Sequence, residues 1–424
     1  MRELKYKEGD IWDPQKVRAS FLRLKELQLF DSVSFAPLRF GEQMGSRPIL
    51  LKLHSDDPFE LRVRAGLELQ DIQEYQTFGG LAYKVGGTFM VKNPTNHADQ
   101  FRFDADVALS HREINCAYNY PWVAGFPLDG VLQAYAIKYD QPGFIGSNKN
   151  LYTFFQQGCF GGLRHKTATI DVGIHLGFEV DRTSVRNDDV ASQKQASLLA
   201  AAIDFNPALL NKRVPFVFVE PTLMLNRLDN NLNPTQGTFS LVSFRGMFPT
   251  NNTFKQSFFV RLLVEHSWFY SLGEVVSAWR VRVGHIFHRL FADTMPSERF
   301  YLGGANSIRS YQSDQAPPLG IFVDCDGHRN LVPRGGKTMV NFNVELRIPT
   351  FRNVGLVIFQ DLGALSGDAF AEFFHANNIV AGTGIGVRYF TPIGPLRLDI
   401  ACKWRKLYLE ERRLNWFLTF GQAF

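Results

Sequence analysis

The sequence lacks most of the features that mark enzymes and helical membrane proteins. It has no run of about 18 consecutive apolar residues, the minimum for a transmembrane helix. It contains no GxSxG nucleophile motif, no HExxH zinc motif and no P-loop. The net charge is only +5 over 424 residues and no large basic block is present, so nucleic acid binding is not indicated. We therefore expect a non-enzyme that needs no cofactor.

Cysteine is also scarce. The four cysteines, Cys116, Cys159, Cys325 and Cys402, are widely scattered without any CxxC pair. We expect neither a disulfide framework nor a metal site. The first ten residues, MRELKYKEGD, contain no apolar stretch of the kind found in signal peptides. If the mature protein lies in an outer membrane, we expect this chain to be a fragment of a longer one.

Aromatic residues, in contrast, are abundant. They make up 14% of the chain, with 39 phenylalanines, while the mean hydropathy is slightly negative at −0.13. This combination suits a membrane β-barrel, because alternating apolar and polar residues cancel in any hydropathy average. The segments at 59–69, 170–180, 340–348 and 396–404 all alternate in this way. In each, one face is apolar and the other carries charged residues, as a strand between lipid and a polar lumen requires.

About sixteen such segments are present, beginning near residues 59, 79, 99, 111, 128, 151, 168, 214, 235, 253, 274, 338, 353, 379, 394 and 413. Short turns near Asn93–Asn96, Asp229–Gly237, Pro349–Asn353 and Pro392–Gly394 alternate with long loops near 183–213, 290–337 and 366–378. The loop at 183–213 contains ASLLAAAI, which predicts a short helix over the barrel mouth. An even strand number closes a barrel without a free edge. We predict an all-β fold with a 16-stranded antiparallel transmembrane barrel over residues 58–424; the alternative is one or two soluble β-sandwiches.

Residues 1–57 predict a small α+β unit. Asp13 and Pro14 form a helix start signal, and Val17, Phe21, Leu24 and Leu27 recur at helical spacing. Two short strands are predicted near Ser32–Phe35 and Ile49–Leu53.

The stretch from Glu298 to Gln312, ERFYLGGANSIRSYQ, lies in the long loop at 290–337. Gly303 and Gly304 permit a sharp reversal with positive φ. Arg309 then lies near the tip of a partly apolar finger, between Ile308 and Tyr311. Such an arginine favours a bidentate carboxylate partner, although a solvated loop arginine is the simpler alternative.

Four stretches together resemble the outer-membrane β-barrel assembly-factor family of the BamA and TamA type. The first is the turn LDNNLNPTQGTF that begins at Leu228, and the second is the 298–312 loop. The third runs from Asn341 to Gly363 and contains NxELRxP, and the fourth is GIGVRYFTPIGPLRLDI, which begins at Gly384. The first 57 residues resemble the C-terminal part of a POTRA module, the periplasmic domain of that family. Gly9, Asp10, Trp12, Asp13, Lys16 and Val17 match its pattern.

The resemblance implies that the loop at 298–312 locks into the barrel lumen. Arg309 would then pair with Glu345 and Asp361 on the inner wall. The family has glycine where this chain has Ser310, which would strain the loop only if that position needs positive φ. Gly382, Gly384 and Gly386 share the inward face of one strand, and either leave lumen space or accommodate barrel curvature.

The resemblance also implies a weak lateral seam between the first strand, 59–69, and the last, 414–424. The residues assigned to the seam are Phe59, Leu61, Val63, Leu418, Phe420, Gly421 and Phe424. An opened seam would expose a strand edge on which a client strand could form by β-augmentation.

The implied function is the folding and membrane insertion of β-barrel or autotransporter-like clients at the bacterial outer membrane, with POTRA modules in the periplasm. The implied partners are unfolded outer-membrane clients, the lipid bilayer and possible periplasmic or lipoprotein accessory subunits. A two-partner-type exporter of the same superfamily and a passive porin are the alternatives.

Overall fold

The fold is taken from a computed structural model. It describes residues 4–7, 9–11, 13–27, 29–37, 49–70, 81–108, 111–142, 150–185, 190–251, 257–288, 290–323, 329–367, 378–391, 394–407, 411–420 and 422–424. Trp12, Cys325 and Gly421, which the sequence analysis singled out, lie outside these ranges.

Nearly all regular structure in the described residues is β-strand. Two α-helices are present, α1 (Pro14–Glu26) and α2 (Val190–Ala202). The strands are β1 (Phe30–Pro37), β2 (Ile49–Ser55), β3 (Phe59–Gln70), β4 (Leu81–Lys92), β5 (Gln100–Ala108), β6 (His111–Tyr120), β7 (Asp129–Pro142), β8 (Asn150–Lys166), β9 (Ile170–Ser184), β10 (Val214–Asn226), β11 (Gly237–Pro249), β12 (Phe259–Leu272), β13 (Val275–Phe287), β14 (Leu319–Val323), β15 (Arg329–Pro333), β16 (Thr338–Phe351), β17 (Val354–Ser366), β18 (Ile379–Thr391), β19 (Gly394–Lys403) and β20 (Leu414–Phe420).

The N-terminal unit consists of α1 and the antiparallel pair β1–β2. Asp13 caps α1, because its side chain accepts a hydrogen bond of 2.8 Å from the Gln15 N–H. Leu24 of α1 and Val33 of β1 are both buried. The predicted helix and two strands are therefore confirmed. The Gln100 side chain, at the start of β5, donates a hydrogen bond of 2.8 Å to the Leu27 carbonyl.

Sixteen of the strands close into an antiparallel barrel, which confirms the predicted fold class. The barrel contains β3–β13 and β16–β20 in chain order, and β20 returns to β3. The turns and loops alternate as predicted: short connections such as 167–169, 273–274 and 352–353 lie at one rim. The strand ends from which the long connections start, Ser184, Phe287 and Ser366, lie at the other rim. We call these the turn rim and the loop rim.

The two faces of each strand differ as the alternation predicts. In β16, the inward Asn341, Asn343 and Glu345 are at most 1% exposed, whereas the outward Leu346 is 40% exposed. Leu132 and Leu176 on the outer wall are more than half exposed. Exposed apolar side chains around a closed sheet and polar ones inside it are the reverse of a soluble barrel, and they fit a lipid surrounding.

Loop-rim segments fill much of the described lumen. The predicted short helix is present as α2, and the hairpin β14–β15 packs against it so closely that a Cβ on Gly320 would lie 1.9 Å from the Ala202 carbonyl oxygen. One hydrophobic cluster joins the loop-rim segments to the inner wall. It contains Leu199 of α2, Ile203 directly after α2, Phe300 from the loop after β13, and inward residues such as Phe216 and Phe259. No described helix has the length and apolar character needed to cross a bilayer.

The seam between β3 and β20 is present but much shorter than predicted. Among the described residues it contains only two residue pairs, Phe417 with Gln70 and Leu418 with Leu69. By comparison, β3 pairs with β4 at eleven positions and β19 pairs with β20 at seven. The first and last strands are thus neighbours, as expected, and their described pairs lie at the loop-rim end of β3.

Several residues assigned to the seam do not contribute to it. Phe59, Leu61 and Val63 lie towards the turn rim, where they are at least 63% exposed and have no partner in β20 among the described residues. Phe420 is the last strand residue. Phe424 was assigned to the last strand at the seam, whereas β20 ends at Phe420, so this assignment is wrong.

The physical reason is that the end of the chain turns into the lumen. The Arg347 side chain donates to the Phe424 main-chain oxygen at 3.2 Å, and Arg280 donates to the Ala423 oxygen at 3.3 Å. Both guanidinium groups also lie over the Phe424 ring, at 4.7 Å for Arg280 and 5.6 Å for Arg347. These contacts hold residues 423–424 away from the position that would extend β20 along β3.

The lumenal cluster predicts a clear difference between inward and outward phenylalanines. Phe216→Ala removes a fully buried ring that packs edge-on against Phe259, 6.1 Å away. We expect it to lower the free energy of unfolding by about 3–5 kcal/mol, because the cavity cannot collapse inside a barrel. Phe287→Ala, on a side chain 51% exposed on the outer face, is the control. Urea titration of the protein in detergent measures both, and equal losses would contradict the packing described here.

Candidate functional site

The candidate site is the loop finger at 298–312 and the inner wall that it touches. The two glycines form the reversal that was predicted, with φ of 112° at Gly303 and 98° at Gly304. A Cβ on Gly303 would lie 2.2 Å from the Gln312 carbonyl oxygen, so no other residue fits there. The Gly304 N–H donates to the Tyr311 carbonyl at 2.8 Å, which closes the finger around Arg309.

Arg309 meets both predicted carboxylates. Its Nε and Nη2 donate to the two oxygens of Asp361 at 2.9 and 2.8 Å, and its main-chain N–H also donates to Asp361 at 2.9 Å. Its Nη1 donates to Glu345. The guanidinium lies 3.5 Å above the Phe359 ring. All three charged side chains are at most 1% exposed, so this is a buried, charge-assisted and bidentate contact.

Burial alone would lower the pKa of Arg309, but the charges of Asp361 and Glu345 raise that pKa above its usual range. The guanidinium is therefore charged at any pH where the protein is folded. Removing one partner of such a contact is costly, because the other partner would remain as an unpaired buried charge.

The charge network is larger than the sequence analysis predicted. Asp399 on β19 lies 3.8 Å from Arg309 and receives a 2.6 Å hydrogen bond from Arg388 on β18. Arg347 on β16 donates to Glu345 at 2.9 Å. The alternation of the sequence predicts that these residues lie on the inward face of their strands. It does not predict which inward charges lie next to each other, because that depends on the register of four strands.

The network also reaches the last strand. The Asn415 side chain of β20 donates to the Arg309 carbonyl at 3.2 Å. Arg397 of β19 donates to Thr419 of β20 and, at 3.0 Å, to the Ala305 carbonyl in the finger. The finger therefore contacts the strand that forms one side of the seam.

Ser310 occupies the position where glycine was expected from the family pattern. It is not among the described residues with positive φ, so the backbone does not need glycine there. Its side chain is fully buried and faces Gly382: a Cβ on Gly382 would lie 2.2 Å from the Ser310 Oγ. Gly382 thus provides the space that Ser310 occupies.

The other inward glycines fit the same description. A Cβ on Gly384 would lie 2.3 Å from the Phe359 ring, and one on Gly386 would lie 2.1 Å from Asp399. Of the two explanations considered from the sequence, the glycines leave lumen space, and that space is filled by the ring under Arg309 and by the charge network.

The flanking finger residues are anchored separately. Ile308 is buried against Gly363, where an added Cβ would lie 2.3 Å from the Ile308 Cδ1. The Tyr311 hydroxyl donates to the Arg405 carbonyl at 2.9 Å, and Lys403 lies 5.0 Å from the Tyr311 ring. Burial, followed by the charge of Glu411, raises the pKa of Tyr311 above its usual range.

A closed sixteen-stranded barrel with a lumenal arginine finger defines a class of membrane barrel, and comparison with known proteins assigns the family. The Omp85 superfamily domain model matches residues 96–424. The chain therefore belongs to the Omp85 superfamily, which confirms the family resemblance. It is 30% identical over 179 residues to a protein of Nitratidesulfovibrio vulgaris, the outer membrane protein assembly factor BamA. That match covers 40% of this chain and 20% of the relative, so the chain spans about a fifth of the curated relative that it matches.

Solved structures share the fold. BamA of Haemophilus ducreyi lacking POTRA domains 1–3 aligns with a TM-score of 0.72 at 18% identity, covering 99% of this chain and 81% of that one. CdiB of Acinetobacter baumannii aligns with a TM-score of 0.61 at 12% identity, covering 99% and 71%. At identities of 18% and 12%, these comparisons show a shared fold.

Removing the finger arginine tests the energetics of the network. We expect Arg309→Ala to lower the free energy of unfolding by about 3–5 kcal/mol, because Asp361 and Glu345 lose their main partner while buried. Arg309→Lys should recover only part of this loss, since an ammonium cannot form the bidentate contact. Denaturant titration in detergent measures the series. Full recovery by lysine would contradict the bidentate geometry.

The Ser310–Gly382 contact gives a reciprocal test. Gly382→Ala forces a methyl group against Ser310, and we expect a loss of about 1–3 kcal/mol from overpacking. Adding Ser310→Gly should restore most of it, which a double-mutant cycle measures as a coupling energy. Gly384→Ala, which would meet Phe359 instead, is the matched control, and Ser310→Gly should not rescue it.

Proposed function

We propose that this chain is the barrel portion of an outer-membrane assembly factor that folds and inserts β-barrel or autotransporter-like clients through the seam between β3 and β20. Residues 1–57 are assigned as the C-terminal part of a POTRA module on the periplasmic side, and residues 58–424 as the barrel. The proposed partners are unfolded outer-membrane clients, the bilayer and periplasmic or lipoprotein accessory subunits. The work needs no catalytic residue and no cofactor, because strand pairing and burial in lipid supply the driving force.

The single observation that carries this proposal is the two-pair seam. Each backbone pair in a barrel wall removes polar groups from lipid, so a wall normally keeps its full ladder. Here β3 is paired with β4 from Phe59 to Leu69, but among the described residues it pairs with β20 only at Leu69 and Gln70. The opposite edge of β3 between residues 59 and 68 thus has no described strand partner, and it lies next to exposed Phe59, Leu61 and Val63.

Such an edge is a template for β-augmentation. Main-chain hydrogen bonds give affinity without demanding a client sequence, and the outward apolar side chains match those of an incoming barrel strand. The inward path of residues 423–424 supports this reading, since it leaves the β3 edge unoccupied at the turn rim. The finger supports it too, because Asn415 and Arg397 couple β20 to the lumenal network.

The alternatives make different demands on the lumen. A passive porin needs an open passage, whereas the described lumen contains the finger, α2 and the Arg309 network. An exporter of the same superfamily must move these segments aside for an unfolded partner. The fold that this chain shares with CdiB is compatible with the exporter alternative.

A reversible cross-link tests the seam. Leu69→Cys with Leu418→Cys places a cysteine pair at facing positions of β3 and β20, in a protein whose native cysteines are changed to serine. The protein is placed in liposomes and supplied with an unfolded barrel client, whose protease-protected and heat-modifiable form is followed over time. We expect the oxidised protein to insert client no faster than empty liposomes, and reduction to restore the rate.

A second pair gives the control. Val264→Cys with Val283→Cys links β12 to β13 far from the seam and should leave insertion unchanged. If the oxidised seam pair inserts client as well as the reduced one, lateral insertion is refuted. Passage of a partner protein into the liposome interior without client insertion would instead favour the exporter.

A further inference from the structure

Four cationic residues form a row on the outer wall near the loop rim. Arg112 of β6 faces Lys138 of β7, Lys138 faces Phe155 of β8, and Phe155 faces Arg182 of β9. Arg213 directly precedes Val214 of β10, which faces Asp181 beside Arg182. Adjacent strands are about 4.8 Å apart, so Lys138 and Arg182 lie roughly 10 Å from each other along the row.

The row lies on the lipid-facing surface. Arg112 shares its strand face with Ile114, Lys138 with Leu132, and Arg182 with Leu176, and these three apolar side chains are 51–62% exposed. Towards the loop rim, Arg112 is the next outward position after Ile114, and Lys138 and Arg182 are the third outward positions after Leu132 and Leu176. They therefore mark the level at which the apolar band gives way to headgroups.

Most of these charges have no anionic partner in the part of the chain that the structure describes. Arg112, Arg182 and Arg213 form no ion pair within it, and the Arg182 Nε is buried without a hydrogen-bond partner. Lys138 lies 3.7 Å from Asp140, but that carboxylate already receives a 2.6 Å hydrogen bond from Thr153. An unpaired cation at a lipid boundary is costly unless an anion reaches it.

Three of the cations line one groove of about 370 Å³. Lys138, Arg182 and Arg213 share it with the hydroxyl groups of Thr153 and Ser184, and with the apolar surface of Phe155 and Val180. The groove thus has donors for phosphate and sugar oxygens, and an apolar side that continues into the lipid-facing band. Other outward positions near the loop rim are aromatic, such as Phe248 and Phe287, so the basic row belongs to this part of the wall.

We propose that this groove binds a glycolipid that carries more than one phosphate, in the leaflet that surrounds the loop rim. The proposal rests on the membrane location proposed above, but not on the seam. Arginine binds phosphate with paired charge-assisted hydrogen bonds, and several cations spread over about 10 Å suit two phosphates better than one phosphodiester. The hydroxyl groups suit sugar oxygens, and acyl chains then run down the apolar wall. The site lies on the fifth to eighth barrel strands, away from β3 and β20.

The test uses the folded protein in neutral detergent, titrated with micelles that contain bisphosphorylated lipid A. Two comparison lipids are lipid A with its phosphates removed and phosphatidylglycerol at equal charge. Binding is read from the number of lipids bound in native mass spectrometry and from the lipid-dependent rise in unfolding temperature. We expect the apparent dissociation constant for bisphosphorylated lipid A to be about tenfold lower than for either comparison lipid.

Two charge-matched variants separate a site from general basicity. Lys138→Gln with Arg182→Gln and Arg213→Gln should abolish the preference for the phosphorylated glycolipid. Lys52→Gln with Lys166→Gln and Lys212→Gln removes three exposed lysines outside the groove and should retain it. Equal loss in both variants, no preference in the unmodified protein, or equally tight phosphatidylglycerol binding would each overturn the proposal. Client insertion by the seam is measured independently, so either proposal can fail alone.

Discussion

The structure depends on how the barrel neutralises charge that it has buried. Asp361, Glu345 and Asp399 are buried on the lumen side of the wall, where an uncompensated carboxylate would be expensive. Arg309 reaches them only because two glycines reverse the chain and Gly382 leaves space for Ser310. The same requirement explains why the long loop after β13 lies inside the barrel. A loop that extended into solvent would leave these carboxylates with the wall arginines alone.

The seam is held together differently from the rest of the barrel wall. Away from the seam, adjacent strands share ladders of many pairs, and the wall needs nothing from the lumen. At the seam, the described residues form two pairs between β3 and β20, and lumenal contacts of Asn415, of Arg397 with Thr419 and of Arg280 with residues 423–424 lie on its inner side. These polar contacts from the lumen support a seam that has few described backbone pairs. In the proposed function, such a seam would separate while the other strand ladders stay paired, because its lumenal supports are side chains rather than backbone pairs.

On the outer wall, too, charged side chains need partners, and the surrounding solvent there is lipid. Apolar residues cover the middle of the barrel, and charge reappears where headgroups begin. On β6–β10, however, the charges are cationic and aligned across strands, and within the described part of the chain Arg112, Arg182 and Arg213 form no ion pair, while Lys138 lies 3.7 Å from Asp140. Lumenal arginines are paired by the protein itself, whereas those on the outer wall depend on an anion from the surroundings. The two sets of arginines therefore serve different partners, although strand alternation placed both.

The sequence by itself determined the barrel, its strand number, its two rims and the inward or outward direction of most side chains. It did so because period-2 alternation and turn chemistry act between neighbours in the chain, and a membrane barrel has few other ways to satisfy its backbone. Arg309, Glu345 and Asp361 could be named as well, since a family pattern marked the loop and parity marked the wall. Tertiary structure decided what depends on register and path. Arg388 and Asp399 join the network because β18 and β19 align them with β16. Phe424 does not continue the last strand, because it contacts Arg280 and Arg347 in the lumen, and no local pattern in the last strand contains those distant partners.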